Sequence, residues 1–288
     1  MENMVGRKGT HLFLGILTLG LALLVLSPFY LVLVNAMKTS AEITINPISF
    51  PTGFDTFIYN LRSMLDHEIF RFWTSLKGSV IITVLSLVLI TITASMTAWV
   101  LCRNKTRWST FIFLMLVSAM VIPFQVVMLP LITVFRVIGD TTGLPMLQSY
   151  FGLIFAYIGF GSSISVFILH GFIKGIPLEL EEAAAIDGCT RPGTFFKIIL
   201  PLLKPIQVTI LILNGIWIWN DFLLPSILLG LNGEIRTLPI AVQALVGAFV
   251  TQWNLLITAT FLAMLPIIIL FIFAQKYIIK GVVEGAIK

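Results

Sequence analysis

Three glutamates, a run of alanines and a glycine form the most informative pattern in this chain. Glu179, Glu181 and Glu182 precede Ala183–Ala185, and Gly188 follows. Carboxylates are favoured near the positive end of a helix by about 0.3 to 1 kcal/mol each, and alanine propagates a helix well. Glycine can adopt the left-handed conformation that ends a helix. The pattern predicts a short helix with a small-residue face, which either lets another protein's backbone approach closely or merely connects two longer segments.

A second group of polar residues interrupts long apolar runs. Asn214, Trp217 and Asp221 are spaced i, i+3 and i+7, so they share one helical face, and Asn220 is adjacent. An indole can lie against the C–H face of a sugar while amide and carboxylate groups bind its hydroxyls. The same residues could instead hold neighbouring helices together. Gln125, in an earlier apolar run, has the same two interpretations: it lines a solute pathway or it packs between helices.

The remaining reactive residue types are scattered and form no catalytic pattern. His11, His67 and His170 are isolated, and Cys102 and Cys189 form neither a CxxC pair nor a His-containing cluster. The sequence also lacks the GxxxxGK[ST] loop that cradles nucleotide phosphates. We therefore expect no catalytic residues, no metal site and no cofactor bound by this chain.

The composition places the elements that carry these residues in lipid. Hydrophobic residues make up 58% of the 288 positions and charged residues only 11%, whereas soluble domains are about one quarter charged. The mean hydropathy is +1.04. The formal charge of +5 comes from basic residues that are dispersed between apolar runs, without a basic stripe or interleaved aromatics. Membrane lipid is the expected environment, and nucleic acid is not an expected partner.

Segments without charged residues predict six transmembrane helices in an all-α integral membrane protein. A spanning helix needs about 20 apolar residues, and a charge at mid-bilayer costs about 2.5 to 3.5 kcal/mol. A signal peptide is the alternative for the first segment, but its apolar run is too long and no A-x-A site follows. The whole chain, 1–288, is predicted to be one transmembrane domain with a loop over 174–205. The predicted spans are 12–34, 76–101, 109–135, 151–173, 206–229 and 255–274.

Basic residues predict the orientation of the spans. With the N-terminus in the cytoplasm, twelve of the 18 Lys and Arg residues fall in cytoplasmic segments. Both termini and the 174–205 loop are therefore predicted to be cytoplasmic. The segment 35–75, with its prolines and mixed charges, is predicted to be an external loop with a short helix near 57–65.

The loop sequence resembles a known motif. Glu182-Ala183-Ala184, three residues, Gly188, nine residues and Ile198-x-Leu-Pro201 are similar to the EAA motif of permease subunits in bacterial ABC importers. The resemblance implies that this loop forms a coupling helix that docks on a cytoplasmic ATPase. The residues it assigns to coupling are Glu181, Glu182, Ala183, Ala184, Asp187, Gly188 and Pro201.

Further short motifs occur in the order found in maltose-type carbohydrate permeases. They are Ser27-Pro28-Phe29, Met37-Lys38-Thr39-Ser40, Ile122-Pro123-Phe124-Gln125 and Trp219-Asn220-Asp221. The resemblance implies the shorter, six-helix subunit of a type I ABC importer in a bacterial cytoplasmic membrane. It also implies a second permease that forms a heterodimer, two ABC ATPase subunits that bind ATP and Mg²⁺, and an extracytoplasmic solute-binding protein.

The resemblance favours import of a sugar or oligosaccharide by alternating access. From the residues alone, the same aromatic and amide groups would suit a polyol, an aminosugar or a glycerophosphodiester. Two other functions stay open: a secondary transporter driven by an ion gradient, which should carry several buried carboxylates, and a non-transporting scaffold or sensor that uses the loop only to bind a partner.

Overall fold

A computed structural model describes residues 2–51, 53–231, 233–248 and 252–286. Within these ranges the chain forms helices and no strands. The helices are α1 (Glu2–Ala36), α2 (Ser40–Ile45), α3 (Asp55–Leu65), α4 (Phe72–Arg103), α5 (Arg107–Ala119), α6 (Phe124–Thr142), α7 (Tyr150–Ile173), α8 (Glu179–Ile186), α9 (Arg191–Thr194), a π-helical turn (Phe195–Ile199), α10 (Leu200–Leu202), α11 (Lys204–Asn220), α12 (Leu223–Leu229), α13 (Leu238–Ala248) and α14 (Trp253–Ala286).

Several helices are long and apolar enough to cross a membrane. Five described helices meet this condition, and a sixth span is formed if one bent helix pair is counted together. None of the apolar window within Leu12–Ala36 is buried in the chain. Such a surface requires lipid or protein as its neighbour. The predicted spans 12–34, 76–101, 151–173 and 255–274 lie within α1, α4, α7 and α14.

The third predicted span, 109–135, is not one helix. Helix α5 ends at Ala119, a turn follows, and α6 begins at Phe124. Pro123 precedes α6 in an extended conformation, with φ −61° and ψ 134°. Proline has no N–H to continue the helix and disfavours helical geometry at the residue before it. Pro123 itself favours a kink at this point. The predicted bounds ran through it because the residues on both sides are apolar, and hydropathy averaged over about 19 residues does not resolve a break of four.

The fifth predicted span, 206–229, is also interrupted. Helix α11 ends at Asn220 and α12 begins at Leu223. Asp221 between them is extended, and its Oδ1 accepts a hydrogen bond from the N–H of Leu223 at 2.9 Å. An aspartate that bonds the backbone in this way competes with the helical hydrogen-bond ladder. At its other end α11 bends by 75° from the segment Arg191–Leu202.

The described chain divides into two compact units, Met1–Phe72 with Val242–Met264, and Trp73–Ala241 with Leu265–Lys288. The prediction of one transmembrane domain over 1–288 stays a prediction. So does the cytoplasmic placement of the two termini, and Met1 and Lys288 lie outside the described residues.

The first unit contains a buried lysine at the end of α1. Lys38 is 1% exposed, and its Nζ donates to Asn35 Oδ1 at 3.3 Å and to the carbonyl oxygens of Asn46 at 3.1 Å and Pro47 at 3.3 Å. A buried ammonium group requires such acceptors, and the negative end of a helix favours a cation. Lys38 therefore holds the predicted external segment against the end of α1. The short helix predicted near 57–65 is present as α3.

The core of the second unit lies between α4, α7 and α11. One apolar cluster includes Ile90 and Tyr157, and another includes Ala98 and Phe195. At Gly161 of α7, an added Cβ would lie 2.6 Å from Cδ1 of Ile90 and 2.8 Å from Oδ1 of Asn214. Glycine is therefore needed where the three helices approach each other.

Candidate functional site

Helix α8 is the short helix predicted from the glutamate and alanine pattern. Gly188 follows it with φ +78°, the left-handed conformation expected from the sequence. The N–H of Cys189 donates to the carbonyl of Ala184 at 2.9 Å, and the N–H of Gly188 donates to that of Ala185 at 3.1 Å. This pair of bonds is the Schellman motif, which satisfies the last carbonyls of a helix. The end of α8 is therefore defined by Gly188 through its backbone conformation.

The residues of α8 divide between two faces. Glu181 and Ala184, three positions apart, face the bundle, and Ala184 is 5% exposed. Glu182 and Ala183 are exposed, and the Ile186 side chain is 87% exposed. A large apolar side chain so open to solvent, next to small residues, suits a contact with another protein. Asp187 and Gly188 are exposed as well, so the outward face continues through the turn.

Glu181 attaches α8 to the end of α4. Its Oε1 accepts from Arg103 Nε at 2.7 Å, and its Oε2 accepts from Trp99 Nε1 at 3.0 Å. Arg103 Nη2 also donates to the carbonyl of Ile176 at 3.0 Å. The side chains of the ion pair are only 20% (Arg103) and 12% (Glu181) exposed, so solvent weakens this contact less than it weakens a surface pair. We call Trp99, Arg103 and Glu181 the α4–α8 clamp.

The segment after α8 returns the chain to the core. Phe195 is 1% exposed and its ring lies 5.4 Å from that of Trp99, while Ile199 is fully buried. The π-helical turn Phe195–Ile199 lies just before the 75° bend. Such turns are frequent at functional sites in helices. Pro201 is exposed near this bend. The segment therefore packs into the core through Phe195 and Ile199 and is exposed to solvent at Pro201.

The polar residues of α11 meet α7. Asp221 Oδ2 accepts a hydrogen bond from the hydroxyl of Tyr157 at 3.0 Å, and Tyr157 is fully buried. The ring of Trp217 lies edge-on to Tyr157 at 5.4 Å. Asn214 Nδ2 donates to Ser165 Oγ at 3.0 Å. The shared face predicted from the spacing therefore exists, and it is directed at α7.

The predicted pathway residues differ in their surroundings. Asn214 is 3% exposed and also donates to the carbonyl of Ile210, so its amide is used in helix packing. Asn220 is exposed, and its Nδ2 donates back to Ile216 at 2.8 Å. Gln125 is exposed in the first turn of α6. Within the described residues, no hydrogen bond joins the side chain of Gln125 or Asn220 to Tyr157 or Asp221.

A cavity of about 540 Å³ lies beside Trp217. Its walls come from the end of α5 and the turn after it, and from α6, α7 and α11. They include Phe160, Gly159 and Ser163, and Trp217 is 40% exposed. Apolar walls with a few polar groups are typical of small-molecule sites. Of the predicted pathway residues, only Trp217 lines this cavity.

Metal binding finds no support in the described part of the chain. No group of three or more His, Cys, Asp or Glu residues there could hold a metal ion. His170 stacks on Phe113 at 4.1 Å, and Cys102 and Cys189 are free.

Comparison with known proteins identifies the family. The family model described as "Binding-protein-dependent transport system inner membrane component" matches residues 90–284, which include α8 and the clamp. This chain belongs to that family. The predicted membership among importer permeases is thereby confirmed, as is the multi-pass membrane character of the chain.

Relatives match this inner membrane component almost from end to end. The "Probable starch degradation products transport system permease protein AmyC" of Thermoanaerobacterium thermosulfurigenes is 41% identical over 96% of this chain and 95% of its own length. The arabinooligosaccharides transport system permease protein AraQ of Bacillus subtilis is 34% identical over 93% and 92%. The multiple sugar-binding transport system permease protein MsmG of Streptococcus mutans is 31% identical over 95% and 95%.

A solved structure has the same fold. A chain in the crystal structure of a bacterial ABC transporter involved in the import of the acidic polysaccharide alginate superposes with a TM-score of 0.77. It is 23% identical, and the match covers 94% of this chain and 97% of that one. The predicted type I importer permease fold of this inner membrane component is confirmed.

Sequence reasoning missed four residues of the site in this inner membrane component. Trp99 and Arg103 precede the loop by many positions, and only the fold brings them to Glu181. Tyr157, the partner of Asp221, lies in an apolar run without a polar pattern. Ile186 could have been found, because it is the apolar residue on the outward face that Glu182 and Ala183 define.

Proposed function

We propose that this chain is a permease subunit of an ABC importer for a sugar or oligosaccharide. It would act with a second, different permease, two cytoplasmic ATPase subunits and an extracytoplasmic solute-binding protein. The observation that carries this proposal is α8, a motif-bearing helix that exposes Ile186 and is fastened to α4 through Glu181. The names of the relatives, which concern starch degradation products, arabinooligosaccharides and multiple sugars, favour this solute class.

In the proposed mechanism, α8 is the coupling helix. ATP closes the paired ATPases, and a cleft on one ATPase moves α8 together with the end of α4. The bundle then opens outward to a docked binding protein, and hydrolysis returns it to the inward-open state. Coupling of this kind needs an element with two arrangements that both sites bias. The clamp supports the proposal because it joins the docking helix to a spanning helix.

The solute pathway is proposed to pass Trp217. Its indole borders the 540 Å³ cavity and could lie against the apolar face of a sugar. Asn220, Asp221 and Gln125 would supply hydrogen-bonding groups along the path, whereas Asn214 would act through helix packing. A second permease would complete the pathway.

Catalysis is assigned to the partners. ATP and Mg²⁺ would be bound by the ATPase subunits, and this chain would contribute coupling and passage of the solute. The proposed location is the bacterial cytoplasmic membrane, with α8 and both termini on the cytoplasmic side, as the basic residues favour.

The test uses the exposed face of α8. We expect Ile186→Asp to abolish copurification of the ATPase and to lower ATP-dependent sugar uptake in proteoliposomes at least tenfold. Burying an isoleucine contributes about 1.5 to 3 kcal/mol, and a buried unpaired carboxylate is costly. Ile186→Leu should keep both properties. Ile45→Asp is the matched control for assembly, because Ile45 is 84% exposed and lies outside the loop.

The same experiment separates the other functions. Uptake that persists without the ATPase and follows an ion gradient would indicate a secondary transporter. ATPase binding without uptake of any sugar would indicate a scaffold or sensor. ATPase binding that survives Ile186→Asp would refute the docking role of α8.

A further inference from the structure

A basic cleft lies at one edge of the second unit, apart from the cavity beside Trp217. It has a volume of about 790 Å³ and opens between the end of α4, the start of α5 and the end of α7. Four cationic side chains line it: Arg103, Lys105, Arg107 and Lys174. We call it the α4–α5 cleft.

Three of these four charges are not neutralised. Arg103 pairs with Glu181, whereas Lys105, Arg107 and Lys174 are exposed and form no ion pair with any described residue. No carboxylate among the described residues lines this cleft. An adjoining cavity shares Lys105 and Lys174 and includes Glu179, so one carboxylate lies nearby. The cleft keeps a net positive charge and attracts an anion.

The start of α5 adds to this attraction. Thr106 caps the helix by accepting from the N–H of Ser109 at 3.1 Å, and both residues line the cleft. Helix α5 has 13 residues, and the positive end of its dipole points to the same place as the three basic side chains. The charges and the helix end therefore favour the same ligand chemistry.

The other wall of the cleft is apolar. Leu101, Phe113 and Leu114 line it, and Leu114 is 55% exposed. On the same helix Trp108 is 75% exposed, as expected for an indole at the level of lipid headgroups. Lys105 lies two residues after α4, Arg107 is the first residue of α5, and Lys174 directly follows α7. All three therefore lie at the ends of apolar helices, where a spanning helix leaves the hydrocarbon. A free anion would use the basic rim alone and leave the apolar wall uncovered.

From this combination we propose that the α4–α5 cleft binds an anionic phospholipid. The headgroup phosphate contacts Lys105, Arg107 and Lys174, and the acyl chains lie along Leu114 and the exposed side of α5. Basic pockets between spanning helices at a membrane surface bind anionic headgroups in this way. Because the clamp residue Arg103 also lines the cleft, the lipid lies next to the contact between α4 and α8.

The test measures lipid binding to the full-length chain, purified with the subunits that accompany it. Dioleoylphosphatidylglycerol and dioleoylphosphatidylcholine, which have the same acyl chains, are titrated and bound lipid is counted by native mass spectrometry. We expect Arg107→Gln/Lys174→Gln to weaken phosphatidylglycerol binding about 30-fold, since each basic side chain near an anionic surface contributes about fivefold. The control Lys77→Gln/Arg136→Gln removes the same charge at two exposed positions outside the cleft and should change nothing.

Several results would overturn the proposal. It fails if the cleft and control variants bind phosphatidylglycerol equally well, or if phosphatidylcholine binds as tightly. It also fails if inorganic phosphate at millimolar concentration displaces the lipid completely, because the site would then recognise the phosphate alone. If the double variant does not fold, Lys105→Gln alone should weaken binding about fivefold, and no change in that variant refutes the site.

Discussion

Glu181→Ala tests whether the α4–α8 clamp transmits motion from the coupling helix. The substitution removes both acceptor oxygens, so Arg103 and Trp99 lose their bonds of 2.7 and 3.0 Å. Alanine keeps high helix propensity, and α8 should therefore still form. The outward face with Ile186 is untouched, so ATPase docking should survive. We expect a complex that assembles and hydrolyses ATP but moves little solute.

The magnitude follows from the burial of the pair. Hydrogen bonds to charged groups contribute about 1.5 to 3 kcal/mol, whereas exposed ion pairs contribute about 0 to 1 kcal/mol. Because its side chains are only 20% and 12% exposed, we place the clamp in the lower part of the first range, at about 2 kcal/mol. Coupling free energies between sites are about 1 to 3 kcal/mol. Loss of most of the clamp should therefore lower the solute moved per ATP about tenfold.

The assay measures phosphate release and sugar uptake in the same proteoliposomes. Glu179→Ala is the matched control, because Glu179 belongs to the same helical turn and is exposed. A double-mutant cycle with Arg103→Ala isolates the contact itself. The reciprocal exchange Glu181→Arg/Arg103→Glu should restore part of the coupling.

One result would refute the reasoning directly. If Glu181→Ala moved as much solute per ATP as Glu179→Ala did, the clamp would be a local packing contact with no share in coupling. Loss of ATPase docking in Glu181→Ala, with α8 still folded, would instead assign Glu181 to the docking face.

Two further predictions concern the membrane bundle. Gly152→Ala should reduce the amount of folded protein in the membrane, because the added Cβ would overlap the main-chain carbonyl oxygen of Met146, and overpacking costs about 1 to 3 kcal/mol. The control Gly159→Ala has open space around the added Cβ and should leave the amount of folded protein unchanged. Equal yields of the two variants by fluorescence-detected size exclusion would contradict this prediction. Tyr157→Phe should lower the free energy of unfolding by about 1 to 3 kcal/mol in denaturant titration, since Asp221 Oδ2 loses the hydroxyl that donates to it. Asp221→Asn keeps an acceptor oxygen for that hydroxyl and should cost less.

The short helix in the loop could be predicted because its determinants are local. Helix propensity, the dipole and the conformational freedom of Gly188 act within one turn, and the structure contains α8 with its Schellman end. The sequence did not show which face of α8 points to the bundle and which to solvent. Glu181 and Glu182 are adjacent and chemically identical, yet one faces the bundle and the other solvent. Only the neighbouring helix distinguishes them.

The breaks within two predicted spans show a different limit. Hydropathy averages over about 19 residues, and neither Pro123 nor Asp221 changes such an average enough to divide a span. Both act through the backbone: one removes an N–H and the other bonds Leu223. The shared face of Asn214, Trp217 and Asp221 was predictable from helical periodicity, but its partner Tyr157 was not.

The sequence by itself determined that this chain is an all-helical membrane protein with an importer-type loop, because hydropathy, propensity and motif spacing are properties of neighbouring residues. Only the tertiary structure decided that Glu181 holds α4, that Tyr157 bonds Asp221, and that Lys105, Arg107 and Lys174 surround one cleft. The bonds of Glu181 and Tyr157 join residues that are distant along the chain, and the cleft brings Lys174 next to the start of α5. The two bonds form because packed helices satisfy their buried polar groups on one another, and no local pattern encodes which helix lies alongside.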